Sequence, residues 1–483
     1  MNKKVIFFLV FLFIISFVIR VWPLRVSHFW DESVYLQNAK TIFQGAKGYN
    51  ELNFRPPLIS ILFGLAFLLW DNVFMAQLIL GIIAAISIVY VYLIGKELYD
   101  EKVAIISSLM FALAPFLVLN SNFLLTDVPS LSLVVIFYYY LIKAGKTGKD
   151  IFFYVSGALF SLSILMRFTS LILLFVVPIS FAIYRVNYKK ILPFIVGVLL
   201  FLFPYLLWAQ ISQGFFLQPF IIAKRMVGDF NEPFLFYILN FNRAFGILTI
   251  VGIVVWLVNL LLKANSCFSQ KRTDFLLNFK LKWKQIFNKN DLMLFIWIVL
   301  FLSYITITPH KELRYIIPIS LPVVLLGAKG IGIICNKVSL IQNKGLKYLG
   351  YGLIVLLFLS AFYPSFIKLK EPLISSSASI EMMASKFIVE NYPEQVIIYS
   401  NHNYPIFAYH TGYKTLRLEN QDEQFYDYYA EEMNESGIII VYNNTNKYPK
   451  IEWLNNNSEF NYSTNIEEIF IYEYNKTNHE GFT

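Results

Sequence analysis

The chain has 483 residues, of which 57% are hydrophobic and 15% are charged, and its formal net charge is +9. Soluble domains are usually about 45–50% apolar and about 25% charged, so this composition excludes an ordinary water-soluble protein. The positive charge lies in short segments between apolar runs, which is typical of membrane proteins and argues against a nucleic-acid partner. The two cysteines, Cys267 and Cys335, are too few for a disulfide framework or a Cys-based metal site.

Eleven apolar runs are predicted to cross the membrane, because a spanning helix needs about 20 residues, with a range of roughly 17–25. In chain order these predicted spans cover residues 5–22, 73–95, 103–119, 127–142, 151–166, 168–184, 191–209, 243–262, 291–308, 315–334 and 348–366. One further apolar run, residues 58–70, is shorter than a span and follows Pro56-Pro57. This run predicts an interfacial or re-entrant helix.

The distribution of Lys and Arg predicts how these spans are oriented. If the N-terminus is cytoplasmic and residues 58–70 do not cross, every strongly basic loop falls on the cytoplasmic side. The outer side then carries residues 23–72, the turn near 126–127, the break at 167, the loop 210–242, the turn 309–314 and the tail from 367. We therefore predict a multi-pass protein of the cell membrane with a cytoplasmic N-terminus and an extracytoplasmic C-terminal domain.

The tail, residues 367–483, lacks long apolar runs and is predicted to form a small α/β domain. A helix is predicted over 377–391, and strands rich in Ile, Val and Tyr over 396–399, 437–442 and 469–474. The tail also carries N-x-S/T patterns, which favour an external location, at Asn434, Asn443, Asn456, Asn461 and Asn475. The predicted fold is a polytopic α-helical membrane domain, 1–366, followed by this extracytoplasmic α/β domain.

A polar segment directly after the first span contains two adjacent carboxylates, Asp31 and Glu32. Carboxylates at a membrane surface are costly unless they are solvated or paired. Asp31 could cap a helix, and Glu32 could interact with the positive end of the helix dipole. Alternatively, one carboxylate could be a general base that takes a proton from an acceptor hydroxyl or amine. Arg55 precedes the short apolar helix, where its guanidinium is suited to a phosphate, with a snorkelling side chain as the alternative.

Two further charges lie at the ends of apolar runs. Asp127 stands at the top of two spans, where it could cap the following helix. Arg167 interrupts the apolar stretch 159–177, so it either snorkels to the surface or faces a polar cavity. The loop 210–242 is a candidate lid, and its charged residues are Lys224, Arg225, Asp229 and Glu232.

A compact charged turn lies between two late spans and contains His310, Lys311, Glu312 and Arg314. A basic turn on the outer side departs from the usual charge distribution, and an anionic ligand would select such a departure. Lys311 and Arg314 could neutralise a phosphate, while His310 and Glu312 could bind polar groups or a metal. A solvated turn without a ligand is the alternative reading.

The order and residues of these segments resemble the GT-C membrane glycosyltransferases, and most of all the branch that holds protein O-mannosyltransferases and lipid A aminoarabinose transferases. The resemblance covers about residues 1–335. Its motifs are Trp30-Asp31-Glu32-Ser33, Arg55-Pro56-Pro57-Leu58, Leu125-Thr126-Asp127-Val128-Pro129, Leu165-Met166-Arg167-Phe168-Thr169 and His310-Lys311-Glu312 through Pro318. This resemblance implies a GT-C fold with its catalytic segment in the first outer loop, 23–72.

The resemblance also implies roles for individual residues. By position, Asp31 would be the catalytic base and Glu32 would shape the acceptor site. Asp127 matches the acidic residue of the second outer loop and would count with Asp31 and Glu32 among the catalytic residues. Arg55 matches the position that contacts the donor phosphate, and Lys311 and Arg314 match the late loop near the donor. The implied reaction moves a hexose or pentose from a polyprenyl (dolichyl-type) phosphate to a protein, glycan or lipid acceptor, with inversion. Membrane lipids would surround the site, and a divalent metal stays open as a cofactor.

Two other function classes stay open at this point. A transporter or flippase of lipid-linked sugars would place its functional charges near the middle of the membrane, within broken helices. The charges of this sequence lie at span ends instead, which favours an enzyme. A receptor or sensor would use its tail as the functional part, and eleven spans are more than such an anchor needs.

Overall fold

The computed structural model describes residues 3–26, 28–46, 48–225, 232–269, 288–374, 379–394, 396–418, 425, 427–429, 433–443 and 448–476. The chain divides into two compact units. Unit 1 comprises Met1–Pro23, Asn53–Leu58 and Gln77–Glu371, and unit 2 comprises Leu24–Leu52, Ile59–Ala76 and Pro372–Thr483. Most of the predicted first outer loop therefore clusters with the C-terminal segment, whereas the sequence placed that loop in the membrane domain.

The helices follow the apolar runs of the sequence. They are α1 (Lys3–Val21), α2 (Trp30–Gln44), α3 (Pro57–Leu69), α4 (Val73–Leu98), α5 (Glu101–Leu113), α6 (Pro115–Ser121), α7 (Asp127–Thr147), α8 (Asp150–Met166), α9 (Val176–Tyr184), α10 (Ile191–Gln213), α11 (Gln218–Arg225), α12 (Phe236–Leu239), α13 (Phe241–Ser269), α14 (Lys289–Ile307), α15 (Ser320–Ser339), α16 (Lys344–Ile367), α17 (Ile380–Asn391), α18 (Tyr404–Thr411) and α19 (Ile451–Asn456). Short 3-10 helices precede α9, α10 and α15, at Phe168–Phe175, Tyr188–Lys190 and Leu313–Ile319.

Every predicted span coincides with helix, but fewer than eleven have the length of a span. Within the described ranges, eight helices are long and apolar enough to cross a membrane, and the pair α5 and α6, bent by 49°, would make a ninth. The predicted spans 151–166 and 168–184 form shorter apolar helices, as does α3 over the run predicted to be interfacial. The chain is a multi-pass membrane protein, and its orientation stays a prediction.

A buried arginine from α1 donates hydrogen bonds to backbone carbonyls at the bend between α5 and α6. Pro115 has no N–H, so the carbonyl of Phe111 lacks its usual partner four residues on. Arg20, only 1% exposed, donates from Nη2 to Phe111 O (3.1 Å) and from Nη1 to Ala112 O (2.6 Å). Ser365 Oγ donates to the next carbonyl, that of Leu113 (2.7 Å). This charge inside a span therefore has a structural function.

Glycines allow two pairs of helices in unit 1 to pack backbone against backbone. A Cβ on Gly330 of α15 would lie 1.7 Å from the carbonyl oxygen of Gly252 in α13. A Cβ on Gly157 of α8 would lie 2.1 Å from the carbonyl oxygen of Phe194 in α10. Small residues let membrane helices approach this closely, because no side chain separates them. The first crossing fixes α15, which directly follows the charged turn.

Unit 2 contains a five-stranded mixed sheet with the order β2-β1-β3-β5-β4. The strands are β1 (Ile397–Ser400), β2 (Thr415–Arg417), β3 (Gly437–Tyr442), β4 (Phe460–Ile466) and β5 (Ile469–Tyr474). Strand β1 pairs in parallel with β2 and β3, and β5 pairs antiparallel with β3 and β4. Alternate residues of β1, β3 and β5 contribute to separate cores on the two faces of the sheet.

These elements confirm the predicted fold class, a helical membrane protein with a small α/β domain. The three predicted strands are present, and the predicted helix begins at Ile380, with Ser379 as its N-cap. Strands β2 and β4 were not predicted. Strand β2 is three residues long, and β4 carries exposed polar residues at the edge of the sheet, so neither has a strong apolar pattern.

Helices α2 and α18 pack together inside unit 2. The ring of Trp30 meets the ring of Tyr404 edge-on, with centroids 4.5 Å apart, and Tyr49 contacts the same ring at 4.6 Å. Leu24 forms an isolated parallel bridge with Ile374. The segment that follows the first span therefore has its packing partners in the C-terminal part of the chain.

Candidate active site

A buried ion pair joins the start of α7 to the end of α8 in unit 1. Asp127 is the first residue of α7, after Thr126 as N-cap, so the interpretation of Asp127 as the capping residue is wrong. Helix α8 ends at Met166, and Arg167 follows in an extended conformation. Its Nη1 lies 3.0 Å from Asp127 Oδ1, and the Asp127 side chain is only 2% exposed. The same Nη1 donates to Thr126 Oγ1 at 3.1 Å.

This pair is connected to the charged turn through an aromatic ring. The Arg167 Cζ lies 5.3 Å from the centroid of the Tyr315 ring, a distance typical of a cation–π contact. Tyr315 Oη donates to Glu312 Oε1 at 3.1 Å. Arg314 donates to both oxygens of Glu312, at 2.5 and 3.0 Å, and His310 Nε2 lies 3.1 Å from Oε1. We call this group the charged cluster: Asp127, Arg167, His310, Glu312, Arg314 and Tyr315.

Glu312 is ionised at the centre of this cluster. Burial by itself would raise the pKa of its carboxyl, but hydrogen bonds and charge from Arg314, with His310 and Tyr315, outweigh burial and lower the pKa to about 2. The carboxylate therefore holds Arg314 in a fixed orientation at neutral pH. Among the described residues, no group of three or more His, Cys, Asp or Glu could hold a metal.

Lys311 points toward the loop that was predicted to be a lid. Its side chain is nearly buried, at 8% exposure, and Nζ donates to the carbonyl oxygen of Glu232 at 3.0 Å. Asp229 lies outside the described residues. The two basic residues of the predicted lid, Lys224 and Arg225, lie in the last turn of α11. Lys311 thus contacts the predicted lid segment rather than the carboxylates of the charged cluster.

Arg55 lies in unit 1, just before α3. It is half-buried, and its Cζ lies 5.8 Å from the centroid of the Phe54 ring. Gln213, the last residue of α10, donates from Nε2 to the carbonyl oxygen of Asn53 at 2.9 Å. The backbone that carries Arg55 is therefore tied to the end of an apolar helix, and its contact with a phosphate stays a prediction.

Asp31 and Glu32 lie in unit 2, in the first turn of α2. Glu32 is fully buried, and its Oε2 accepts the N–H of Phe29 at 2.7 Å. Its Oε1 is paired with Arg25 Nη1 at 2.6 Å. Glu32 thus accepts a free backbone N–H at the start of α2. The interpretation of Asp31 as the cap is wrong, because the N-cap is Phe29. Asp31 is half-buried beside this pair.

Sequence reasoning missed three residues that hold these groups in place. Tyr315 is the first residue of a predicted span, and its position between Arg167 and Glu312 requires two distant segments to meet. Thr126 was read only as part of a motif. Arg25 lies in the irregular segment between α1 and α2, seven residues before Glu32, where no periodicity predicts a contact. Adjacent basic and aromatic residues, as at Arg314 and Tyr315, are a usable signal for such networks.

One protein family matches the chain. Residues 54–208 match the model of the dolichyl-phosphate-mannose-protein mannosyltransferases. The matched segment contains Arg55, Asp127 and Arg167. No curated protein sequence matches the chain.

Several solved structures share the fold over most of the chain. ArnT from Cupriavidus metallidurans matches with a TM-score of 0.65 at 10% identity, over 97% of each chain. The oligosaccharyltransferase of Archaeoglobus fulgidus matches with a TM-score of 0.62 at 13% identity, over 90% of this chain and 69% of that one. The arabinofuranosyltransferase AftD from Mycobacteria matches with a TM-score of 0.57 at 12% identity, over 100% of this chain and 40% of that one. With the family match, this shared fold confirms the predicted resemblance to the GT-C membrane glycosyltransferases of the protein mannosyltransferase and ArnT branch.

Proposed function

We propose that this chain transfers a monosaccharide from a polyprenyl (dolichyl-type) phosphate to a protein, glycan or lipid acceptor at the outer face of the membrane. The family match over residues 54–208 carries this proposal, because it includes three of the predicted site residues. Two proteins of similar fold have been solved with polyprenyl phosphates, ArnT with undecaprenyl phosphate and AglB with dolichol phosphate. A lipid phosphate donor fits a chain in which apolar helices surround charged turns.

In this proposal the donor phosphate is held by Arg55, Lys311 and Arg314. Negative charge grows on the phosphate as the bond to the sugar breaks, so fixed positive groups stabilise the transition state. The position of Arg314 supports this role, because the ionised carboxylate of Glu312 orients its guanidinium in advance. Lys311 is held by the Glu232 carbonyl and would bring the neighbouring loop toward the donor.

Asp31 is the proposed general base. It would take the proton of an acceptor hydroxyl or amine, whose oxygen or nitrogen attacks the anomeric carbon while the bond from that carbon to the phosphate oxygen breaks. A single displacement of this kind inverts the anomeric centre. Glu32 is unsuited to this role, because its two oxygens accept hydrogen bonds from Phe29 and Arg25. Its contribution would be to hold the helix start that carries Asp31.

The proposal is tested with the full-length protein in lipid nanodiscs and a panel of radiolabelled polyprenyl-phosphate monosaccharides. Transfer to an added extract of acceptor glycans, peptides and lipids is measured for the natural protein and for Asp31→Asn. We expect a loss of roughly 10²–10⁴-fold in the variant, the usual contribution of a general base. The matched control is Glu390→Gln, an exposed carboxylate of α17. Full transfer by Asp31→Asn would exclude this base, and passage of labelled sugar without a covalent product would favour a transporter.

A further inference from the structure

The sheet of unit 2 has a point at which the strand order reverses. From β1 the chain passes through α18 to β2 on one side, and it then returns to β3 on the other side of β1. In open sheets with parallel strands, ligands bind beyond the carboxyl ends of the strands at such a point. Here residues 401–403 directly follow β1, and Tyr442 ends β3.

A buried amide lies at this strand end. Asn401 is 1% exposed, and neither its Oδ1 nor its Nδ2 has a hydrogen-bond partner within the described part of the chain. Its backbone N–H donates to Ile440 O of β3, which fixes the residue between the two strands. A buried amide without partners is costly, so a group of this kind calls for a partner such as an ordered water or a ligand.

Polar and aromatic side chains surround the same strand ends. Glu381 Oε1 accepts hydrogen bonds from Asn403 Nδ2 at 2.7 Å and from Tyr442 Oη at 3.2 Å. The ring of His402 meets that of Tyr442 edge-on, with centroids 5.2 Å apart. Burial and the charge of Glu381 raise the pKa of Tyr442, so its hydroxyl remains a donor. Glu381, His402 and Asn403 are half-buried, and His402 and Asn403 directly follow the buried Asn401 in the chain.

We propose that the carboxyl ends of β1 and β3 form a binding site for a neutral, hydroxyl-rich ligand, with Asn401 and Glu381 as its polar contacts. An amide offers one donor and one acceptor group, and a carboxylate accepts hydroxyl hydrogens, so the pair suits neighbouring hydroxyls of a sugar. The rings of His402 and Tyr442 would contact the apolar face of the same sugar. The negative charge of Glu381 disfavours phosphate, which separates this site from one for the donor phosphate.

The site is linked within unit 2 to the start of α2. Asn403 is followed by Tyr404, whose ring contacts that of Trp30, the residue before Asp31. If the chain is a glycosyltransferase, on which this step rests, the bound sugar is part of a glycan acceptor. A site in the C-terminal domain would then hold the acceptor chain near the segment that carries the proposed base.

Saturation-transfer NMR on the full-length protein in nanodiscs tests the site, with the methyl glycosides of mannose, glucose, galactose and N-acetylglucosamine as probes. We expect saturation of at least one glycoside in the natural protein. Asn401→Leu and Glu381→Gln should each weaken its binding roughly tenfold, the usual effect of removing one buried hydrogen-bond partner. Glu390→Gln, on the same helix as Glu381 but exposed, is the matched control and should bind normally.

The unfolding temperature of each variant shows whether it is folded. If Asn401→Leu does not fold, Glu381→Gln and His402→Ala, which removes one of the two rings, test the site instead. Absence of saturation for all four glycosides, or equal binding by folded variants and natural protein, would overturn the site. Asp31→Asn should bind glycosides normally. Transfer without glycoside binding would therefore reject this site alone, and glycoside binding without any transfer would reject the proposed function alone.

Discussion

Two buried carboxylate–arginine pairs lie at the starts of helices, one in each unit. In unit 2, Glu32 pairs with Arg25 at 2.6 Å, and in unit 1, Asp127 pairs with Arg167 at 3.0 Å. Each carboxylate is in the first turn of its helix and is at most 2% exposed, and each arginine is 15–16% exposed. From sequence alone the two carboxylates look alike, as acidic residues at the ends of apolar runs.

Their further partners differ. The second oxygen of Glu32 accepts a backbone N–H three residues earlier, so this pair is a local device that fixes the start of α2. Arg167 instead reaches Thr126, Thr169 and the ring of Tyr315, so its pair connects α7, the end of α8 and the charged turn. The same ion pair thus stabilises one helix in unit 2 and joins three segments in unit 1.

The largest effect is expected when the unit 1 pair loses its cation. Arg167→Gln leaves a buried carboxylate without its arginine, which should lower the free energy of unfolding by about 3–5 kcal/mol. The double variant with Asp127→Asn should recover most of this loss, because no buried charge then remains uncompensated. Thermal or denaturant unfolding in detergent measures the stability of the single and the double variant. A double variant no more stable than Arg167→Gln would show that the two residues are not an energetic pair.

A smaller effect is expected in unit 2. Glu32→Gln keeps an oxygen for the Phe29 N–H but removes the charge opposite Arg25, and we expect a loss of about 1–3 kcal/mol. The helix start that carries Asp31 should loosen, which amide hydrogen exchange of residues 30–34 would report. Arg25→Gln in the same background should cost little more. An unchanged exchange rate would mean that the pair does not fix this turn.

The two regions should also respond differently to acid. In unit 2, burial, His410 and Arg25 lower the pKa of His28 to about 3, and burial and Lys40 lower that of His410 to about 4, against the opposing charge of Glu381. The unfolded imidazoles titrate near 6.5 and bind more protons below that pH, so the stability of unit 2 should fall as the pH drops from 6.5 toward 4.

Unfolding temperatures between pH 7.5 and 4.5 measure this loss. His28→Gln should flatten the dependence, because the substituted side chain takes up no proton on unfolding. A natural protein whose stability is constant over this range would contradict the buried, neutral state of both imidazoles.

The smallest effect is expected at Glu312. Its pKa is lowered from 4.5 to about 2, so its stabilisation is fully present above pH 4.5 and is lost only as the pH falls toward 2. Its side chain is 35% exposed, so Glu312→Gln should cost about 0.2–1 kcal/mol, equally at pH 7 and pH 5. A cost that already disappears at pH 5 would argue against an ionised Glu312 held by Arg314.

Particular residues show which features of the fold and of the site can be predicted from the sequence. The apolar runs predicted the helices, because burial in lipid requires long apolar stretches whatever segments lie beside them. Charged residues at span ends marked Asp127, Arg167 and the 310–314 turn one by one, and the structure shows that Arg167 contacts both Asp127 and Tyr315 beside this turn. Arg20, by contrast, was not singled out, and its function depends on carbonyls freed by Pro115 in another helix.

The sequence by itself determined the membrane class, the positions of the apolar helices and the α/β character of the tail. These follow from hydropathy and strand propensity, which are local properties of the chain. Only the tertiary structure decided that Arg20 meets the carbonyls of Phe111 and Ala112, that Arg167 meets Tyr315, and that Asn401 lies between two parallel strands. Each of these depends on contacts between segments distant in the chain, for which no local pattern carries the information.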